Sequence, residues 1–150
     1  MSIRFNNVFY IYNVNSPFAS SALNNINLEI NDHEFVSIIG HTGSGKSTLV
    51  QQINSLLRPT KGKIEVGDFV ISADEKKTKG LKKLKKYAGL VFQFPEYQLF
   101  EETVLDDVAF GPKNFGDNDE EAKNKAKKAL EAVNIEESLF DKSPFELSGG

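Results

Sequence analysis

One run constrains this chain more than any other: Gly40-His41-Thr42-Gly43-Ser44-Gly45-Lys46-Ser47, followed by Thr48. Phe35-Val36-Ser37-Ile38-Ile39 precedes it and reads as a short buried strand feeding a tight turn. Leu49, Ile53, Leu56 and Leu57 then recur at helical spacing, so a helix is expected from about Gly45 until Pro59 ends it. Glycines at 40, 43 and 45 remove side chains that would keep an anion away from the backbone. Successive N–H groups then face the anion, and the helix N-terminus adds the positive end of its dipole. In this pattern Lys46 is placed to reach the β- and γ-phosphates of a nucleotide, and the Ser47 hydroxyl to ligate Mg²⁺. Thr48 falls on the α-phosphate side, while His41 and Thr42 shape the loop. By itself the run means nucleotide phosphate binding and nothing narrower.

The rest of the sequence excludes several alternatives. A formal net charge of -3 disfavours a general nucleic-acid binder. There is no cysteine, which excludes disulfides and thiolate metal sites. His33 and His41 are the only histidines, too few for a histidine-based zinc site. No apolar run is long enough to span a bilayer, and Met1–Asn7 lacks the apolar core of a signal peptide.

Residues 2–40 read as strands, with Ile3 and Phe5, then Ile26, Leu28 and Ile30, alternating with polar neighbours. The stretch from Asn13 to Ser21 has loop chemistry. Lys63–Val66 and Phe69–Ser72 form a hairpin candidate around Gly67-Asp68. Tyr87–Phe92 is a further apolar strand candidate. Thr103–Phe110 and Asp119–Val133 read as helices, the second with Asp119 as its N-cap.

Lys76, Lys77, Lys79, Lys82, Lys83, Lys85 and Lys86 form a lysine-rich stretch without arginines or interleaved aromatics before Tyr87. It reads as a solvated loop with a short helix whose buried side is Leu81 and Leu84.

Two further segments narrow the class. Val91-Phe92-Gln93-Phe94-Pro95-Glu96 ends an apolar run, and Leu147-Ser148-Gly149-Gly150 closes the sequence. In this order after the phosphate loop they resemble the ATP-binding cassette family, with Gln93 as the Q-loop glutamine and Leu147–Gly150 as the signature motif. Phe92–Val104 and Ala109–Gly116 resemble more narrowly the ATP-binding A component of energy-coupling factor transporters, membrane importers for vitamins and transition metal ions.

The resemblance implies an α/β fold. Its core is that of a P-loop NTPase (RecA-like), with an antiparallel β subdomain and part of an α-helical subdomain, stopping before the Walker B strand. Residues 1–72 would be the β subdomain plus P-loop core, 73–93 the core up to the Q-loop, and 94–150 the helical subdomain up to the signature.

It also implies roles and partners. Tyr12 fits the aromatic that stacks on adenine, with Phe9 and Tyr10 as competing candidates. Gln93 would ligate Mg²⁺ and orient water. Ser148, Gly149 and Gly150 would bind the γ-phosphate of ATP held by a second ABC ATPase subunit, a paralogue being favoured over an identical chain. Phe94, Tyr97, Leu99 and Phe100 would face a transmembrane coupling component, itself joined to a substrate-binding membrane subunit. The protein would sit at the cytoplasmic face of the membrane. A soluble cassette ATPase without a transporter, or a nucleotide-binding module only, are the alternatives.

In the family a Walker B Asp-Glu pair and a switch histidine lie after the signature, so the 150 residues alone are expected to bind ATP without hydrolysing it. Exposed strand edges and uncovered apolar faces are expected too. Asp74-Glu75 after Phe69–Ile71 imitates Walker B but precedes Gln93, and reads as an edge strand running into a charged loop.

Overall fold

The computed structural model describes residues 1–148. They fall into two compact units that meet in sequence at Leu90 and Val91.

The first unit is built on a four-stranded antiparallel sheet of β1 (Ile3–Tyr12), β2 (Ser20–Ile30), β3 (Lys61–Val66) and β4 (Phe69–Ser72), in the order β2-β1-β3-β4. Period-2 alternation sets its register. Phe5 lies opposite Leu28 on one side and Ile64 on the other, so one face collects the apolar residues. Phe5, Val8, Ile64, Val66 and Ile71 are fully buried there, joined by Leu49 from α1 (Lys46–Ile53) and Leu84 from α2 (Leu81–Tyr87). Each such side chain contributes about 1.5–3 kcal/mol of burial free energy. The Gly67 turn joins β3 to β4 as the sequence predicts.

Two strand expectations fail. Phe35–Ile39 is not a strand, and Phe35 and Ile39 are 98% and 94% exposed. A strand exists only where a neighbour takes its backbone hydrogen bonds, and no described residue does so here. The apolar faces expected to stand uncovered do so at these two side chains. Tyr87–Phe92 divides instead: Tyr87 ends α2, the remainder is irregular, and Val91 is exposed.

In α2, Leu84 is buried, whereas Leu81 is exposed. The lysine-rich stretch is held down by its backbone. Arg58 donates to the carbonyls of Ser72, Glu75 and Lys76, and the Ser55 and buried Thr78 hydroxyls lie 2.7 Å apart.

The second unit pairs α3 (Val104–Phe115) with α4 (Asp119–Ala132). Ala109, Ala122 and Ala126 are buried between them, with Val104, Leu105, Leu130 and Phe140 completing the core. Thr103 caps α3 by accepting from the Asp106 N–H at 3.1 Å. The helix continues past Phe110 and through Pro112, ending at Gly116.

Asn118, not Asp119, caps α4. Its Oδ1 accepts from the Glu121 N–H while Glu121 reaches back to the Asn118 N–H, a reciprocal pair that Asp119, already inside the helix, cannot make. Asp119 instead binds Lys113 at 2.5 Å, and Lys123 lies 3.4 Å from Asp106. The Asp106 carboxyl is held below the ordinary range first by the Thr103 hydroxyl, against the opposing effect of burial, and then by Lys123 and Lys113.

Candidate functional site

The glycine-rich run lies in the first unit and leads directly into α1. Gly45 precedes the helix at φ 90, left-handed backbone, and no side chain caps the helix. The first-turn N–H groups therefore have no intrahelical acceptor, and no acidic residue occupies that turn. The positive end of the helix dipole is open to an anion. Gly45 also passes close to β2: a Cβ there would stand 2.5 Å from the Ala22 carbonyl oxygen and 3.1 Å from Leu23 Cδ2. Gly43 has φ 82 but faces open space.

The Lys46 ammonium folds back over its own loop, donating to the carbonyls of Gly40 and His41 at 2.8 Å each and lying 3.5 Å from Ser44 Oγ. Those carbonyls hold the charge at the loop, where an anionic ligand would compete for it. His41 Nδ1 lies 2.8 Å from the Thr42 carbonyl, a contact internal to the loop. Ser47 is exposed and Thr48 buried.

Beside the loop is a cavity of about 260 Å³. Gly43, Gly45, Lys46, Ser47 and Thr48 form one wall, Tyr12 a second, and Ser20, Ser21 and Ala22 a third. The Tyr12 hydroxyl lies 2.9 Å from Thr48 Oγ1, and its ring meets Tyr10 edge to face at 4.8 Å. Of the three candidate aromatics only Tyr12 lines this cavity. Tyr10 packs behind it, its hydroxyl pushed upward in pKa by burial and then by Tyr12, and the Phe9 ring lies under Lys61. Ser20, Ser21 and Ala22 were not singled out by the sequence. Their position comes from strand pairing, Tyr12 with Ser20 and Ile11 with Ser21.

Gln93 and Ser148 belong to the second unit, and both are exposed. Gln93 lies on irregular backbone before the short 3-10 turn Pro95–Gln98. Phe94 and Tyr97 face each other at 5.9 Å, and Phe100 meets Phe110 at 4.6 Å. Asp107 Oδ1 accepts from the N–H groups of Phe100 and Glu101, fixing the end of this aromatic loop to α3. Even so, Phe94, Tyr97 and Phe100 stay exposed. Leu147 packs on the helical core, which anchors the segment leading to Ser148. Gly149 and Gly150 lie outside the described residues.

Asp74 and Glu75 follow the edge strand β4 on a turn, and the Asp74 N–H is taken by Ser72 Oγ at 3.2 Å. That is the geometry of a loop, as the sequence suggests.

Comparison with known proteins agrees with this arrangement. The chain is 57% identical over all 150 residues to the energy-coupling factor transporter ATP-binding protein EcfA2 of Caldanaerobacter subterraneus subsp. tengcongensis, covering 51% of that protein. It is 56% identical over 150 residues to the EcfA2 of Enterococcus faecalis, covering 52% of it. The chain thus spans about half the length of the curated relatives it matches.

Among solved structures, the dimeric post-hydrolysis state of the ATP-binding cassette MJ0796 bound to ADP and Pi superposes with a TM-score of 0.77 at 30% identity, over 98% of this chain and 63% of that one. CbiO1 from Clostridium perfringens, part of the ABC transporter complex CbiONQ, gives 0.74 at 34% identity, over 97% of this chain and 55% of that one. Both share the P-loop cassette fold that the glycine loop, Gln93 and Leu147–Gly150 together lead one to expect. Residues 23–150 match the ABC transporter family, and the chain belongs to it.

Proposed function

We propose that this chain is the ATP-binding portion of the ATPase subunit of an energy-coupling factor importer, in which ATP binding and hydrolysis drive uptake of vitamins or transition metal ions. The observation that carries the reading is the cavity itself. Uncapped N–H groups of α1, the Lys46 ammonium and the Ser47 and Thr48 hydroxyls converge on one side, and an aromatic ring stands within one hydrogen bond of them. An anion bound at Gly43–Thr48 and a flat base against Tyr12 would belong to one molecule, ATP. The names of the relatives support the transport role.

In this reading Gly40–Thr48 cradle the phosphates, with Lys46 exchanging its own loop carbonyls for the β- and γ-phosphate oxygens. Ser47 and Gln93 are the residues that would hold Mg²⁺. One or two protein oxygens suit that ion, which otherwise keeps water and substrate phosphates as ligands; when bound it supplies charge neutralisation at the β- and γ-phosphates. Ser148, Gly149 and Gly150 would meet the γ-phosphate of ATP on a second ATPase subunit, with a paralogue favoured. The exposed rings of Phe94, Tyr97 and Phe100 would receive the transmembrane coupling component at the cytoplasmic face of the membrane, and a further membrane subunit would bind the substrate.

The test is equilibrium binding of ATP to the whole protein carrying these residues. Lys46→Ala removes a charge-assisted contact, so affinity should fall roughly ten- to hundredfold. An unchanged affinity would refute phosphate binding at this loop.

A further inference from the structure

The start of β2 contributes a wall to the cavity that no phosphate- or base-binding role uses. Its three residues run in a definite direction. Ser20 is the strand partner of Tyr12, at the end of the cavity assigned to the base. Two residues on, the Ala22 carbonyl is packed so closely against Gly45 that a Cβ there would stand 2.5 Å from it, at the end assigned to the phosphates. Ser21 lies between. The two ends are themselves close, because the Tyr12 hydroxyl reaches Thr48 Oγ1 at 2.9 Å. In a nucleotide the group that joins base to α-phosphate is the sugar. A ligand spanning this cavity must therefore carry its sugar past Ser20.

Ser20 is exposed in the cavity wall, on the same face of the strand pair as its partner Tyr12, whereas Ser21, opposite Ile11, presents its side chain to the other face. The Ser20 hydroxyl is engaged by no described group. Ser16, in the preceding loop, differs: its hydroxyl accepts from the Phe18 N–H at 3.2 Å. A serine hydroxyl donates one hydrogen bond and accepts others, which matches a sugar hydroxyl that does the same. Resting on the nucleotide reading of this pocket, we infer that the Ser20 hydroxyl reads a ribose hydroxyl, so that the site prefers a ribonucleotide to its 2′-deoxy counterpart.

The test compares ATP with 2′-deoxyATP by calorimetric titration of the whole protein. One net hydrogen bond corresponds to a preference of roughly three- to tenfold for ATP. In the S20A variant the ratio should fall to about one, as ATP affinity drops toward the 2′-deoxy value, whereas S21A, on the other face of the strand, should leave it unchanged. The S20T variant keeps the hydroxyl and should keep the preference, which separates loss of the hydroxyl from damage to the strand. Equal binding of the two nucleotides by the wild type would overturn this inference and leave the nucleotide reading standing. So would a ratio that survives in S20A. Absence of binding by either nucleotide would overturn both.

Discussion

Replacing Gly45 by alanine should be markedly worse than replacing Gly43, although the two glycines stand two residues apart in one loop. Both have left-handed backbone, φ 90 and φ 82. For a residue with a Cβ that conformation costs about 1–2 kcal/mol. At Gly43 nothing else is added, because the new methyl faces open space. At Gly45 the methyl would stand 2.5 Å from the Ala22 carbonyl oxygen, a backbone atom that no side-chain rotation can move. Either the loop or the start of β2 must shift, which adds about 1–3 kcal/mol. The totals are then roughly 2–5 kcal/mol for Gly45→Ala against about 1–2 for Gly43→Ala.

Where this energy is felt depends on whether the loop keeps its shape. A loop that keeps it lowers fold stability, and one that relaxes lowers ATP affinity. Because a methyl at either glycine also stands between an anion and the backbone, the two variants are compared in the nucleotide-free protein, stability by denaturant unfolding and loop shape by the NMR shifts of the Gly40–Thr48 amides. A stability loss for Gly45→Ala no larger than that for Gly43→Ala, with the loop amides unshifted, would refute the claim that β2 fixes the loop.

Thr103→Ala removes the cap of α3 and should destabilise the helical unit by about 1 kcal/mol, read by denaturant unfolding. The same change removes the first cause of the low Asp106 pKa, so that carboxyl should move upward in an NMR titration. Because the folded-state pKa of Asp106 is depressed, its contribution is complete above the unfolded value of about 3.9 and is lost as pH falls through the folded one. The protection of the Ala109 and Ala126 amides, measured against their intrinsic exchange rates at each pH, should therefore fall below about pH 4 in the wild type. The Asp106→Asn variant should show a shallower acid limb.

These predictions differ in how far the sequence could have made them, and the difference is physical. The chemistry of Gly40–Thr48 is local: glycine conformations, a lysine and two hydroxyls lie in one contiguous run, so residue types and spacing suffice. The Gly67 turn and the alternation in β1 are legible for the same reason. Phe35–Ile39 is not. Its apolar pattern says that the side chains favour burial but not what the backbone pairs with, and no described residue pairs with it. The cap of α4 is a closer case. Asn118 and Asp119 are both good capping residues, and the choice falls to Asn118 because Glu121 stands where it can return the bond.

Tyr12 marks the limit of what neighbouring residues encode. Alternation puts Tyr10 and Tyr12 on one side of β1 and cannot choose between them, whereas the 2.9 Å contact with Thr48 does. Ser20 and Ser21 lie beyond that limit, since in sequence they are two polar residues at the end of a loop-like stretch. Their place in the cavity follows from the Tyr12–Ser20 pairing, which brings residues eight apart into register at the end of a hairpin. The phosphate half of the site is thus encoded in neighbouring residues and the sugar half in strand register. A change that shifts the register at Ser20 while leaving Gly40–Thr48 untouched should therefore cost discrimination between sugars before it costs phosphate binding.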